Sequence, residues 1–317
     1  MNLKKLILLS GILIAVLALL GAAFFMSREQ QEQSLLSELD EENCTVIMVG
    51  KGASADGSTM TTHTCDCGMC DWTWRHVAAA DHKPGSVRKI YHINQYRTWP
   101  PQEGLKWDLY LKDYTKVDIP EVSHTYAYHH GMFGYMNENQ VAISESTIGC
   151  QRNMRNPTPA PAFDITMLTL VAMERAKTAR EAIKVMGFMA EQYGYGFNDD
   201  GEMLAVSDPN EVWVFEIMPV GPLWTPTSGK PGAVWCSQRV PDDEVSVCPN
   251  ESRIGEIDLN NPDYFMASSN ATSYAVESGF YDPASGKPFS WKRAYSPREG
   301  SANTNPGRAR MWRYYDL

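Results

Sequence analysis

Apolar positions form short strand-like runs in the outer parts of the chain and helix-spaced sets in its middle. Thr45 to Gly50 is a β-branched, apolar run, Ala55-Asp56-Gly57 carries turn residues, and Ser58 to Thr64 is a second extended run. Together they predict a β-hairpin. A hairpin folds the chain back on itself, which places Cys44, before the first strand, near Asp66, just past the second. Gln140 to Glu145 predicts another strand. Asp164 is the predicted N-cap of a helix through Met167, Leu168, Val171, Ala172 and Arg175, whose apolar members follow helical spacing. Thr178-Ala179-Arg180-Glu181 is a capping box opening a second helix. Ile183, Met186, Met189 and Ala190 give its buried face, and Gly194 ends it. Leu204 to Val206 and Glu211 to Ile217 predict strands joined at Ser207-Asp208-Pro209-Asn210, and Ala233 to Ser237 and Val245 to Val247 continue that pattern. The order of strands, two helices and strands predicts an α+β fold with sheets packed on helices, not a doubly wound parallel sheet. Trp72 to Tyr114 has irregularly spaced Trp72, Trp74, Trp99 and Trp107 and predicts a long loop lying over the body.

The N-terminus changes the picture. Lys4 and Lys5 precede an apolar run from Leu6 to Met26, 21 residues broken only by Ser10, Gly11 and Gly21. About 20 such residues span a bilayer, and flanking lysines stay inside. Residues 1–26 are therefore expected to be a signal peptide or a membrane anchor, with the rest of the chain exported to the outer face of the membrane or beyond. Residues 27–43 hold six acids against Arg28 and read as a propeptide or linker, leaving 44–317 as the main domain. Glu42-Asn43 before Cys44 lacks the small residues that lipidation needs. The formal charge of −10 argues against a nucleic-acid partner.

Seven cysteines stand at 44, 65, 67, 70, 150, 236 and 248. In an exported chain this odd count predicts one reactive thiol and up to three bridges, with pairing undetermined. Cys44 is the natural odd one; its alternatives are a buried strand-end cysteine and a disulfide half. Cys65, Cys67 and Cys70 are spaced closely enough for zinc, with His63 or His76 as a fourth ligand. Bridges or a redox role stand ahead of that metal reading. His82, His129 and His130 show no His-Glu-x-x-His pattern.

Cys44-Thr45, then Val49-Gly50-Lys51, Ala53-Ser54 and Asp56-Gly57-Ser58-Thr59, resemble the start of the dipeptidase A family. These are cysteine peptidases of the N-terminal-nucleophile (Ntn) hydrolase superfamily, related to secernins, bile salt hydrolases and penicillin V acylases. Met136-Asn137-Glu138, the run from Arg175 to Ala182, and Asp208 with Glu211-Val212-Trp213 extend the resemblance nearly to the C-terminus. It implies a four-layer αββα sandwich and a chain cut before Cys44, whose freed amine serves the thiol as base. Position by position, it implies Cys44 as nucleophile and Asp66 as the contact of the free amine. Asn250 and the backbone N–H of Thr147 would form the oxyanion hole, with Arg310 as a second site arginine. His63 stands where relatives usually have an arginine, which leaves open what supplies positive charge near the thiolate. Relatives usually carry more chain beyond this point, so a sequence ending at Leu317 reads as a truncated or partial one.

The expected activity is hydrolysis of dipeptides through a thioester, without cofactor or metal. Dipeptides are the expected partners, with the membrane engaged only through the N-terminal segment before processing; a homo-oligomer stays open. Two rival readings are an Ntn amidase or acylase acting on a non-peptide amide and an inactive, membrane-anchored binding protein. Asn250-Glu251-Ser252 also reads as a glycosylation sequon, which would put Asn250 at the surface.

Overall fold

The computed structural model describes residues 44–65, 74–91, 115–156, 158, 160–196, 200–296 and 306–317. All of them fall in one compact unit, Asn43–Cys65 with Met69–Leu317. The expected signal or anchor segment, the acidic spacer, Asp66, Cys67 and Cys70 lie outside the described residues. Among those described, no helix is long and apolar enough to cross a membrane.

The strands are β1 (Thr45–Val49), β2 (Met60–Thr64), β3 (Arg75–Val77), β4 (Ala80–Asp81), β5 (Val87–Tyr91), β6 (Thr115–Pro120), β7 (His124–Thr125), β8 (Tyr128–His130), β9 (Gly134–Asn137) and β10 (Ala142–Thr147). Two helices follow, α1 (Ile165–Arg175) and α2 (Ala179–Tyr193), then β11 (Glu202–Ser207), β12 (Val212–Pro219), β13 (Ala233–Val240), β14 (Val245–Cys248) and β15 (Phe265–Ala267). A mixed α/β architecture results. One sheet has eight strands in the order β15-β13-β12-β11-β10-β9-β8-β3, and a second has three in the order β14-β1-β2. All pairings in both are antiparallel.

The predicted hairpin forms in register Thr45↔Thr64 through Val49↔Met60. Asp56 closes its turn by accepting the backbone N–H and hydroxyl of Ser58. The helix caps also form from local chemistry. Asp164 accepts the N–H of Met167 at 2.8 Å, and Thr178 Oγ1 that of Glu181 at 3.2 Å. Glu181 reaches back one residue beyond the cap, to the N–H of Lys177. Gly194 ends α2 at φ +79, a conformation that favours glycine.

Two predicted features differ. The stretch read as a loop contains β3, β4 and β5 in its described part, and β3 pairs with β8 at the edge of the large sheet. Its polar, aromatic composition hid strands that are short and partly exposed. β14, read as continuing the β11–β13 run, instead pairs with β1 in the small sheet.

Both faces of the large sheet are covered, which explains why every residue of β11 and β12 is buried. Leu204, Val206, Trp213, Phe215, Ile217 and Trp235 point into a core shared with Leu168, Val171, Ile183 and Met186 of the helices. The alternate residues Met203, Ala205, Val214, Met218 and Cys236 meet Val46, Met48 and Cys248 of the small sheet. Ile90, Ile119 and Tyr128 join the first core, and α1 is buried from Ile165 to Glu174 instead of on one stripe. Its buried Glu174 is held by Arg88 at 2.7 Å and by the Tyr128 hydroxyl at 3.1 Å.

Gly187 marks the tightest approach of α2 to the sheet: a Cβ there would lie 2.4 Å from the Trp235 ring. That indole is fixed by its N–H bond to Glu191 at 2.7 Å. Gly187→Ala gains about 1 kcal/mol of helix propensity but overpacks by about 1–3 kcal/mol. A net loss of stability is expected in urea melts, and a gain would show that the indole yields.

Burial pushes the His130 ring down from 6.5 to about 4. The unfolded chain therefore binds the proton more readily between those values, so this contribution is full above about pH 6.5 and is lost as pH falls toward 4. From about pH 7 to about pH 4.5, wild type should lose on the order of 2 kcal/mol more stability than His130→Gln. Equal losses in paired melts would refute this.

Candidate active site

Cys44 is the last residue before β1, the central strand of the small sheet, and is 1% exposed. The hairpin register continues outward from Thr45↔Thr64, which brings Cys65 opposite Cys44; their sulfurs are 3.6 Å apart. The second neighbour comes from the other sheet. Glu145, buried in β10, places Oε2 4.0 Å from the Cys44 sulfur. The two sheets are tied here by Thr61, whose hydroxyl donates to Ser144 Oγ at 3.0 Å.

From Glu145 the contacts run on. Thr147, two residues along β10, donates its hydroxyl toward Glu145 Oε1 at 3.3 Å and toward Glu202 Oε1 at 3.1 Å. Its carbonyl accepts the Asn250 side-chain amide at 2.8 Å. Asn250 follows β14 and Pro249 at φ +61, a left-handed conformation that Asn tolerates better than most residues. Its backbone N–H is held by Ser146 Oγ at 3.1 Å. This residue is 4% exposed, so the sequon reading fails on burial.

Arg310, on the helix Pro306–Asp316, closes the circuit. One guanidinium nitrogen donates to the Cys44 carbonyl and to Thr45 Oγ1, both at 2.6 Å. The other donates to the Asn250 side-chain oxygen at 2.9 Å and to the Pro249 carbonyl at 3.1 Å. A closed ring thus runs Cys44–Glu145–Thr147–Asn250–Arg310–Cys44, built from two sheets and one helix.

Of the sequence-predicted site residues, the structure brings together Cys44, Thr147, Asn250 and Arg310; Asp66 lies outside the described residues. His63 is opposite Val46 on β2, against Phe133 and Tyr135. Burial pushes its pKa down, so its ring is neutral at neutral pH. Among the described residues, Arg310 brings a guanidinium to the Cys44 carbonyl.

Sequence reasoning missed Cys65 as a neighbour of Cys44, and missed Glu145 and Glu202. A signal was present for Glu145: an acid closing the predicted strand run Gln140 to Glu145, behind Val141, Ala142 and Ile143. Among the described cysteines the expected bridges are not formed: Cys44, Cys65, Cys150, Cys236 and Cys248 make no disulfide with one another. Cys236 and Cys248 instead pack in the apolar core between the sheets, where burial pushes the Cys248 thiol up to about 12. Among the described residues, Cys44, Cys65 and Glu145 form a set of metal-ligating side chains whose donor atoms lie within 4.8 Å of one another.

The loop behind Asn250 is anchored by a buried carboxylate. Glu216 of β12 accepts the Ser252 hydroxyl at 2.6 Å, the N–H groups of Arg253 and Ile254, and the Trp291 indole at 2.8 Å. Burial raises its pKa, and these four donors oppose that. They satisfy the buried group and fix the segment that carries Asn250.

Curated relatives match this geometry's sequence over most of its length. The chain is 28% identical to a "Probable dipeptidase" of Salmonella dublin over 85% of its own length and 56% of the relative's. It is 29% identical to a "Probable dipeptidase A" of Streptococcus pyogenes serotype M1, over 73% of this chain and 44% of that one. For a "Probable dipeptidase" of Latilactobacillus sakei the identity is 30%, over 70% and 42%. The chain therefore spans about half the length of the curated relatives it matches. The model of Peptidase family C69 matches residues 43–317, from just before Cys44 through every residue of the ring, and the chain belongs to that family.

Proposed function

We propose that this protein is an exported cysteine dipeptidase of the Ntn type, cut by its own Cys44. The observation that carries the reading is the closed ring of contacts around that thiol, at the junction of two sheets. Helices on one face of the large sheet and the small sheet on the other suit an αββα sandwich. Family membership and the dipeptidase names of the relatives supply the substrate class.

In this reading Cys44 first attacks the Asn43 carbonyl. The peptide nitrogen leaves as the new amine, a thioester forms, and water releases the spacer. The freed amine has an ordinary pKa of roughly 7.7–8.0, suited to moving a proton near neutral pH. In turnover it takes the thiol proton while the sulfur attacks the dipeptide carbonyl. The first product leaves, and water hydrolyses the thioester. The Asn250 amide and the Thr147 N–H are assigned to the tetrahedral oxygen. Asp66 is assigned to the ammonium form of the amine, and Arg310 fixes the Cys44 carbonyl and the Asn250 side chain at once.

Recovery from an exporting host, with N-terminal sequencing and intact mass, should give a chain beginning at Cys44. Cys44→Ala should retain the preceding residues and cleave no dipeptide. An untruncated wild type, inert toward dipeptides, would favour a binding protein; turnover of acyl amides alone would favour the amidase. Asn250→Ala should fold, by circular dichroism, and lose about 10²–10³ in kcat. A change below about threefold would remove Asn250 from the oxyanion hole.

A further inference from the structure

We propose that Cys44, Cys65 and Glu145 bind a thiophilic divalent cation, zinc foremost, and that the bound ion takes the Cys44 thiol out of use. The inhibitory consequence rests on the reading of Cys44 as nucleophile; the site does not. The zinc reading of the sequence paired Cys65 with Cys67, Cys70 and a histidine. The fold instead sets Cys65 against Cys44 across the end of a hairpin and brings a carboxylate to both from the opposing sheet.

The spacings suit the ion. Tetrahedral zinc, with bonds of about 2.3 Å to sulfur and about 2.1 Å to oxygen, sets neighbouring sulfurs about 3.8 Å apart and sulfur to oxygen about 3.6 Å. The separations here are 3.6 Å between the sulfurs and 4.0 Å from Cys44 to Glu145. The Cys44 sulfur thus stands within a few tenths of an ångström of the required spacing from both partners, and all three donor atoms lie within 4.8 Å of one another. All three donors stand on or next to paired strands, and Thr147 holds the other oxygen of Glu145, as a supporting hydrogen bond does for a ligating carboxylate. Two thiolates favour zinc or cadmium over magnesium or calcium. Cys65 is half-buried, which gives the ion an approach that the buried Cys44 alone does not offer.

Binding exchanges two thiol protons for two sulfur–metal bonds, so affinity rises with pH. The three side chains leave a fourth position. Once Cys44 is N-terminal, its amine can fill that position and close a five-membered chelate with its own sulfur. The processed chain should then bind more tightly than the precursor.

The test uses the full chain in metal-free buffer with a phosphine reductant, titrating zinc against a chromophoric chelator. One zinc per chain is expected, with affinity at least about tenfold weaker in Cys65→Ser and in Glu145→Gln, and unchanged in Cys236→Ser. In parallel, zinc should stop dipeptide turnover stoichiometrically and chelator restore it. Cys65→Ser should need at least about tenfold more zinc, each rate taken relative to that variant's own metal-free rate. Absence of tight zinc would overturn the proposal, as would equal affinity in Cys65→Ser. So would zinc lost in Cys67→Ser or Cys70→Ser but kept in Glu145→Gln. Cys65-dependent zinc in a chain that cleaves no dipeptide would uphold the site and refute the dipeptidase reading. Dipeptide turnover indifferent to zinc, in a chain that binds none tightly, would do the reverse.

Discussion

The meeting of the two sheets is the constraint on which the rest depends. Val46 and Met48 are fully buried against Met203, Ala205 and Val214, and each such side chain is worth about 1.5–3 kcal/mol. Because strand residues alternate, burying Val46 and Met48 fixes the face that β1 presents and leaves no freedom to slip by one residue. The end of that same strand then carries Cys44 to the rim where β10 passes. Packing far larger than any single polar contact is what holds the Cys44 sulfur 4.0 Å from Glu145.

Polar groups refine what packing delivers. Arg310 spans four acceptors with one planar fork, linking the segment before β1 to the segment after β14. Lysine has the charge but not the geometry to do this. Glu216 performs the matching task from below, collecting the donors of residues 252–254 and of Trp291. Asn250 sits between the two anchors in a left-handed conformation, which is retained because both flanking segments are held. The ring around Cys44 is thus supported from the small sheet, the large sheet and the helix Pro306–Asp316.

The same packing explains the cysteines. An odd thiol count in a chain with an apolar N-terminal run invited a disulfide framework. Cys236 and Cys248 behave as small apolar side chains between the sheets, and Cys65 faces the thiol that the sequence set apart as unpaired. A cysteine's role here follows from which surface covers it, and spacing along the chain does not reveal that.

Local chemistry was legible in the residues themselves. The β1–β2 hairpin, both helix caps, the stop at Gly194 and the turn at Asp208 depend on neighbours within a few positions, so pattern alone located them. The family motifs likewise singled out Cys44, Thr147, Asn250 and Arg310. What the sequence could not supply was partnership at long range. β14 left the strands it follows and joined β1, the segment after Trp74 became strands, and α1 was buried on all sides. Glu145 met Cys44 from 101 residues away. Such choices depend on which apolar faces cover one another, a property of the whole packed core. Sequence by itself determined the β1–β2 hairpin, the helical pair and the candidate nucleophile; only the tertiary structure decided what surrounds that nucleophile.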